Sequence, residues 1–330
     1  MDPSSEQLSA FNDFCYVFLS IVIEGAPFIF FGTLVSGFID AYLPPGLIDR
    51  VLPKNKPLAV VCSGLLGAVL PVCECAVVPV IRRLIRKGLP VSCAITYMLS
   101  APIINPITVI STMNAFDSDL GKLLLNRSAA QAYSPVFVTS SRLVIAFIVT
   151  VGVGWIVLKI RNRHVLKPSV LSGIQAKSNS SAPDLHVHGG GGTHSAGHSD
   201  KLVLAMRTTM RDFLDTAMYF TIGVAITAIF KAYVSPAIIA IFSQSEITSV
   251  FLMMILAFVL SLCSTSDAFI AANFPVGLSA KLAFLTYGPM MDVKLVFMYL
   301  AVFTRKFVLA LALGLFFVIG TMCYLWIEVF

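Results

Sequence analysis

The sequence predicts an all-α polytopic membrane protein made of two homologous halves, arranged as inverted repeats, each with a re-entrant or broken helix. Three observations predict it. The chain is 57% hydrophobic and 12% charged, whereas soluble domains average roughly 25% charged residues; no soluble core would hide so much apolar surface. About eight apolar segments recur along it, near 14–39, 58–73, 90–113, 136–158, 213–234, 248–263, 278–302 and 307–327. Polar and proline positions of the first four segments are matched in the last four.

The start, "MDPSSEQLSAFND", is polar and acidic and lacks a basic n-region, so the first apolar segment is expected to stay as a membrane helix. The net charge of +6 comes from basic residues clustered beside apolar segments. That is a topology signal and gives no indication of nucleic-acid binding. The second segment runs from about Leu58 to Pro71. At about 14 residues, or roughly 21 Å as helix, it is short of the hydrocarbon thickness of about 30 Å and suits a re-entrant segment. Arg50, Lys54 and Lys56 precede it, and Arg82, Arg83, Arg86 and Lys87 follow.

A hairpin over 58–86 places both basic clusters on the cytoplasmic face. Segment 90–113 then crosses outward, and 136–158 returns to Lys159, Arg161 and Arg163. The second half starts inside at Arg207 and Arg211, crosses, dips as a hairpin around Cys263, and recrosses to Arg305 and Lys306. Each half makes three crossings, so the halves are inverted. Eight full crossings with the N-terminus inside would leave Arg50, Lys54, Lys56, Arg305 and Lys306 outside, which the positive-inside rule disfavours.

The repeat is carried by matched positions: Glu24 with Asp215, Gly32 with Gly223, Cys73 with Cys263, Pro102 with Pro289, and Asn105 with Asp292. The divisions are a first repeat over 1–159, a polar linker over 160–204 and a second repeat over 205–330. The linker includes "SGIQAKSNSSAPDLHVHGGGGTHSAGHSD", whose Gly, Ser and His content builds no core.

Carboxylates at bilayer depth are costly and face a cavity or a partner. Here they are Glu24, Glu74, Asp215, Asp267 and Asp292. Glu74 lies between Cys73 and Cys75, and Asp267 closes the matching "CSTSD" that begins at Cys263. Irregular backbone is tolerated at depth only inside protein or beside a water-filled cavity, so Cys-Glu-Cys is read as the tip of a broken helix. On a regular helix Cys73 and Cys75 would point about 200° apart; in an unwound turn they converge. Soft thiolates with a carboxylate suit zinc and related ions, which makes Cys73, Glu74 and Cys75 candidate metal ligands. Close packing of small cysteines is the alternative. Ser100 and Asn105, in "SAPIINP" between Pro102 and Pro106, are candidate lining residues of a second broken helix. Cys263, Asp267 and Asp292 complete the candidate substrate site. In the linker, His186, His188, His194 and His198 form a flexible, weak divalent-metal tract, or a simple spacer.

At "LPVCECAVVP", "KGLP" and "SAPIINP" the sequence resembles the predicted-permease family that includes the YraQ-like proteins and the ArsP-type organoarsenical efflux permeases. The resemblance covers nearly the whole chain. It implies a plasma-membrane transporter without an ATPase and, for the arsenical members, extrusion of trivalent arsenicals through thiol contact at Cys73 and Cys75. Relatives associated with zinc homeostasis imply zinc as another cargo. The family commonly carries Cys-Ser-Cys-Gly, where this chain has Glu74 and Ala76; a negative residue between thiols suits a cation better than a neutral arsenical.

The expected function is therefore a multi-pass secondary transporter of a thiophilic metal ion or metalloid in the plasma membrane, with the linker in the cytoplasm. A small-solute channel and a membrane metal sensor or assembly partner are the alternatives. No cofactor is expected; zinc or another divalent metal would be cargo. The lipid bilayer is the expected partner, nucleic acid is not, and homo-oligomer formation is open. No P-loop, Gly-x-Ser-x-Gly or His-Glu-x-x-His pattern occurs, so an enzyme is not expected.

Overall fold

A computed structural model describes residues 3–42, 52–69, 72–117, 134–160, 162–168, 198–233, 245–274 and 276–329. The helices are α1 (Pro3–Tyr42), α2 (Lys56–Val69), α3 (Glu74–Arg86), α4 (Val91–Ser100), α5 (Pro106–Asp117), α6 (Pro135–Leu158) and the short α7 (Asn162–Val165). After the linker come α8 (His198–Tyr233), α9 (Glu246–Leu260), α10 (Ser266–Asn273), α11 (Leu278–Met290), α12 (Val293–Val302) and α13 (Arg305–Val329). Among the described residues the only strand pairing is an isolated bridge between Leu166 and Phe303. His186, His188 and His194 lie outside the described residues, and the side chain of His198, at the start of α8, is not described.

Local sequence explains the breaks. α3 carries Glu74 in its first turn and Arg83 and Arg86 in its last, complementing the helix dipole. It stops at Gly88, whose φ of 108° an L side chain rarely adopts. Gly88 N donates to Ile85 O and Leu89 N to Leu84 O, at 3.1 and 2.9 Å, a Schellman stop. α4 ends at Ser100. Asn105 then accepts from Ile107 N at 3.0 Å, and Pro106 takes the first position of α5, where its missing N–H costs nothing. In the second half Asp292 accepts from Leu295 N at 2.7 Å and caps α12 in the same way.

Among the described residues five stretches are long and apolar enough to cross a membrane: Phe11–Ile39, Pro135–Leu158, Ala205–Phe230, Leu278–Val302 and Arg305–Ile327. The sequence suggested about eight apolar segments. The difference has a physical cause. α2 and α9 have 14 and 15 residues, about 21–23 Å of helix, and the break at 101–105 divides the third segment into α4 and α5, each shorter than a span.

α4 and α11 are buried along their whole length and form the centre. α4 packs on α2 and α6, and α11 on α9 and α13. Outside them, α1, α8 and α13 expose large apolar side chains such as Tyr16, Ile23, Phe31, Met210, Leu309 and Phe317, a surface suited to hydrocarbon. α1 lies along α8 and α3, and α8 lies along α12. The matched glycines make two of these approaches possible. A Cβ on Gly32 would sit 2.7 Å from Ala76 Cα on α3, and one on Gly223 would sit 2.6 Å from Lys294 Cα on α12.

Candidate functional site

The paired cysteines begin paired helices. Cys73 is extended (φ −68°, ψ 164°) and caps α3. Its carbonyl accepts from Ala76 N and Val77 N, both at 3.1 Å. The Cys263 carbonyl accepts from Ser266 N and Asp267 N, both at 3.0 Å, and so starts α10. Val72 and Cys73 are not helical, but Glu74 and Cys75 already lie in the first turn of α3, so the expected unwound turn does not extend over the whole of Cys-Glu-Cys.

Cys73, Glu74, Cys75 and Cys263 line one pocket with Ser261, Leu262 and Lys294, closed on its other side by Glu24, Gly25 and Phe28 of α1 and by Phe220 of α8. Cys75 is buried, while Cys73 and Cys263 are partly exposed. Thr265 Oγ1 lies 3.6 Å from Cys263 Sγ. All of these cysteines are free thiols.

The charges are buried and paired across the two halves. Lys294 Nζ donates to Glu74 Oε1 at 3.2 Å and lies 3.4 Å from Asp292 Oδ2. It also donates to the carbonyl of Ser261 at 3.0 Å and lies 3.5 Å from that of Leu262. Arg142 of α6 donates to Asp267 Oδ2 at 2.9 Å and to Thr112 Oγ1 at 2.7 Å. Glu74 Oε2 and Asp267 Oδ1 are buried with no hydrogen-bond partner. Among the described residues no three His, Cys, Asp or Glu side chains converge to hold a metal ion; the Glu74 carboxylate is turned to the Lys294 ammonium.

Residues 10–328 match the ArsP_1 family, described as a predicted permease. The chain belongs to this family. It is 34% identical to UPF0718 protein YcgR of Bacillus subtilis (strain 168), over 92% of this chain and 93% of that protein. It is also 34% identical to a Streptococcus mutans protein named as a candidate subunit of a two-component membrane permease complex, over 89% of this chain and 88% of that one. No solved structure matches it. Membership in this permease family, together with several apolar helices, makes the chain a multi-pass membrane protein of transporter type.

The pocket gathers Cys73, Glu74, Cys75 and Cys263 from the candidate set, and Asp292 joins through Lys294. Ser100 and Asn105 do not line it. Ser100 Oγ donates to Tyr97 O at 3.2 Å within α4, and Asn105 caps α5. Asp267 sits at the start of α10, held by Arg142.

Sequence reasoning pairs Lys294 with its neighbour Asp292, a contact the structure contains at 3.4 Å, but leaves both cations out of the site. Arg142 and Lys294 lie within apolar segments, and a lone basic residue there requires a buried acid; that is the signal the sequence carries. Arg83 is a further correction, since the sequence places it in a surface cluster. It is instead buried and bidentate to Asp212 of α8, at 2.8 and 2.9 Å, with Ser36 donating to the same carboxylate at 3.3 Å.

Proposed function

We propose that this permease-family chain is a secondary transporter of a thiophilic metal ion or metalloid, with zinc and trivalent arsenicals as the two cargo classes. The observation that carries the reading is that three thiols, Cys73, Cys75 and Cys263, at the starts of α3 and α10, line one pocket. Soft sulfur ligands select thiophilic cargo, and interrupted helices meeting within the membrane are a transporter architecture. In their ionised forms Glu74, Asp292 and Lys294 leave the pocket one negative charge, which favours a cation.

The halves act as inverted repeats over 1–159 and 205–330, joined by a linker over 160–204 in the cytoplasm of a plasma-membrane protein. The recurrence of helix starts at Cys73 and Cys263 and of caps at Asn105 and Asp292 supports this reading. A second cavity of about 220 Å³, lined by Arg82, Lys167, Asp215 and Tyr219, lies along the same three helices, α3, α8 and α12. Cargo leaves or enters through it, with the Arg82–Asp215 contact of 3.7 Å at its mouth. The His tract of the linker collects divalent metal on the cytoplasmic side. The name of the Streptococcus mutans relative supports an assembly, with a second subunit or a second copy of the chain.

The test is accumulation of Zn, Cu, Ni, Cd and arsenite in cells expressing the chain. Cys73→Ser, Cys75→Ser and Cys263→Ser are each expected to abolish the change in accumulation while protein in the membrane stays constant. Normal transport by the triple variant would assign the cysteines to packing.

A further inference from the structure

The backbone around Lys294 is built for a cation. α9 ends at Leu260 and is capped by Ser261, which takes a left-handed conformation (φ 47°, ψ 48°) and is the one non-glycine with positive φ among the described residues. A serine is held there against its preference by contacts on both sides: its Oγ donates to Phe258 O at 3.2 Å and accepts from Thr227 Oγ1 at 3.3 Å. The result is that two consecutive carbonyls, of Ser261 and Leu262, turn to a single point at the negative end of a helix. Two carboxylates, Glu74 from the start of α3 and Asp292 from the break before α12, face the same point. Every ligand is oxygen, supplied by unwound backbone, a helix C-terminus and acidic side chains, which is the donor set that transporters use for alkali cations. The point itself is filled by the Lys294 ammonium, at 3.0–3.5 Å from all four oxygens.

We propose that Lys294 is a tethered cation in a monovalent-cation site formed by Glu74, Asp292 and the carbonyls of Ser261 and Leu262, and that a sodium or potassium ion takes this site when the ammonium is removed. Lys294 is fixed in place from behind, because α8 packs directly on its backbone at Gly223. The ammonium still has freedom to exchange ligands. When cargo takes the Glu74 carboxylate beside the thiols, Nζ keeps Asp292 and the two carbonyls, so its charge is never left without partners. The site deepens the permease reading and rests on it for this exchange with cargo. The existence of the cation site does not depend on any thiol.

The experiment uses full-length purified protein and reads melting temperature in chloride salts of sodium, potassium and choline at equal ionic strength, without cargo. Wild type is expected to melt at the same temperature in all three. Lys294→Ala is expected to melt lower in choline and to recover in sodium or potassium, with a rise that grows with the logarithm of ion concentration. Lys294→Ala with Glu74→Gln returns the cluster to its wild-type net charge of one negative, so it remains measurable where the single variant fails to fold; it should keep a smaller response through Asp292 and the carbonyls. Adding Cys73→Ser, Cys75→Ser and Cys263→Ser to Lys294→Ala should leave the ion response intact, which separates this site from the thiol reading. Melting that is indifferent to the cation in both Lys294 variants overturns the proposal, as does an equal ion response in wild type. In either case Lys294 serves only to neutralise Glu74.

Discussion

Arg142 donates to Asp267 at 2.9 Å, and the pair joins opposite halves of the chain: Arg142 lies on α6 and Asp267 on α10. The second acid–base pair runs the other way, from Glu74 of the first half to Lys294 of the second. Each half therefore supplies the cation that neutralises the acid at the other's interrupted helix. With both Arg142 and Asp267 almost fully buried, removing one partner leaves a bare charge. Arg142→Leu and Asp267→Leu are each expected to destabilise by about 3–5 kcal/mol, whereas the double variant should lie close to wild type. Melting temperatures of the three purified variants check this; a double variant as unstable as the singles would mean that the charges matter through Thr112 and other neighbours rather than through each other.

The matched glycines make a second prediction. Gly32→Ala and Gly223→Ala each drive a methyl into the backbone of a facing helix, at Ala76 and at Lys294, and neither backbone can give way without moving a helix that lines the thiol pocket. Gly152 and Gly314 lie in α6 and α13, with nothing within 4 Å of the place an added methyl would take. There alanine should be neutral or stabilise by up to about 1 kcal/mol through helix propensity. Membrane levels and melting of all four variants would show whether the first two stand apart.

These two matched positions also show what the sequence made legible. The break at 105–106 could be read because local chemistry writes it: Asn-Pro supplies a cap and a first-turn proline. The left-handed stop at Gly88 is written as locally, in Lys-Gly-Leu-Pro, but is read from the sequence only as part of a family motif. The sequence matches Cys73 with Cys263 and Asn105 with Asp292, and in the structure each matched pair has one backbone role. The charge network was not legible. Glu74 and Lys294 are 220 positions apart, and Arg83 and Asp212 are 129 apart; no local pattern links them. Nor does spacing reveal that Ser261 turns left-handed, since serine has no preference for that conformation.

The gathering of basic residues at one end yields a prediction about topology. Lys54 and Lys56 share a cavity with Pro90 and Ile160, and Lys167 shares one with Arg82. Thr304 N donates to Val165 O at 2.9 Å, and Lys167 N to Val302 O at 3.1 Å. Residues 52–56, 82–90, 160, 162–167 and 302–305 thus gather at one end of the molecule, the end proposed as cytoplasmic. Single cysteines at Lys54, Lys87 and Arg305, on a cysteine-depleted background, should all be protected from an impermeant thiol reagent in intact cells and all react after lysis. Labelling of Lys54→Cys and Lys87→Cys from opposite sides would rule out the hairpin.

Glu74 separates the two cargo classes. It sits between two thiols in the chain, and its carboxylate lines the same pocket as they do. A divalent cation gains a charge-assisted contact from it when Lys294 yields Oε1, and Oε2 is already without a hydrogen-bond partner. A neutral trivalent arsenical bonds to sulfur and gains no such contact. Glu74→Gln keeps the size of the side chain and removes the charge. Because a contact to a charged group is worth about 1.5–3 kcal/mol, the variant is expected to lose roughly ten- to hundredfold in apparent affinity for zinc while transport of the arsenical changes little. Both cargoes are to be measured in the same cells, with Cys75→Ser as the control that should abolish each. An equal loss for the two would mean that Glu74 acts through Lys294 and the shape of the pocket, not through the charge of what it carries.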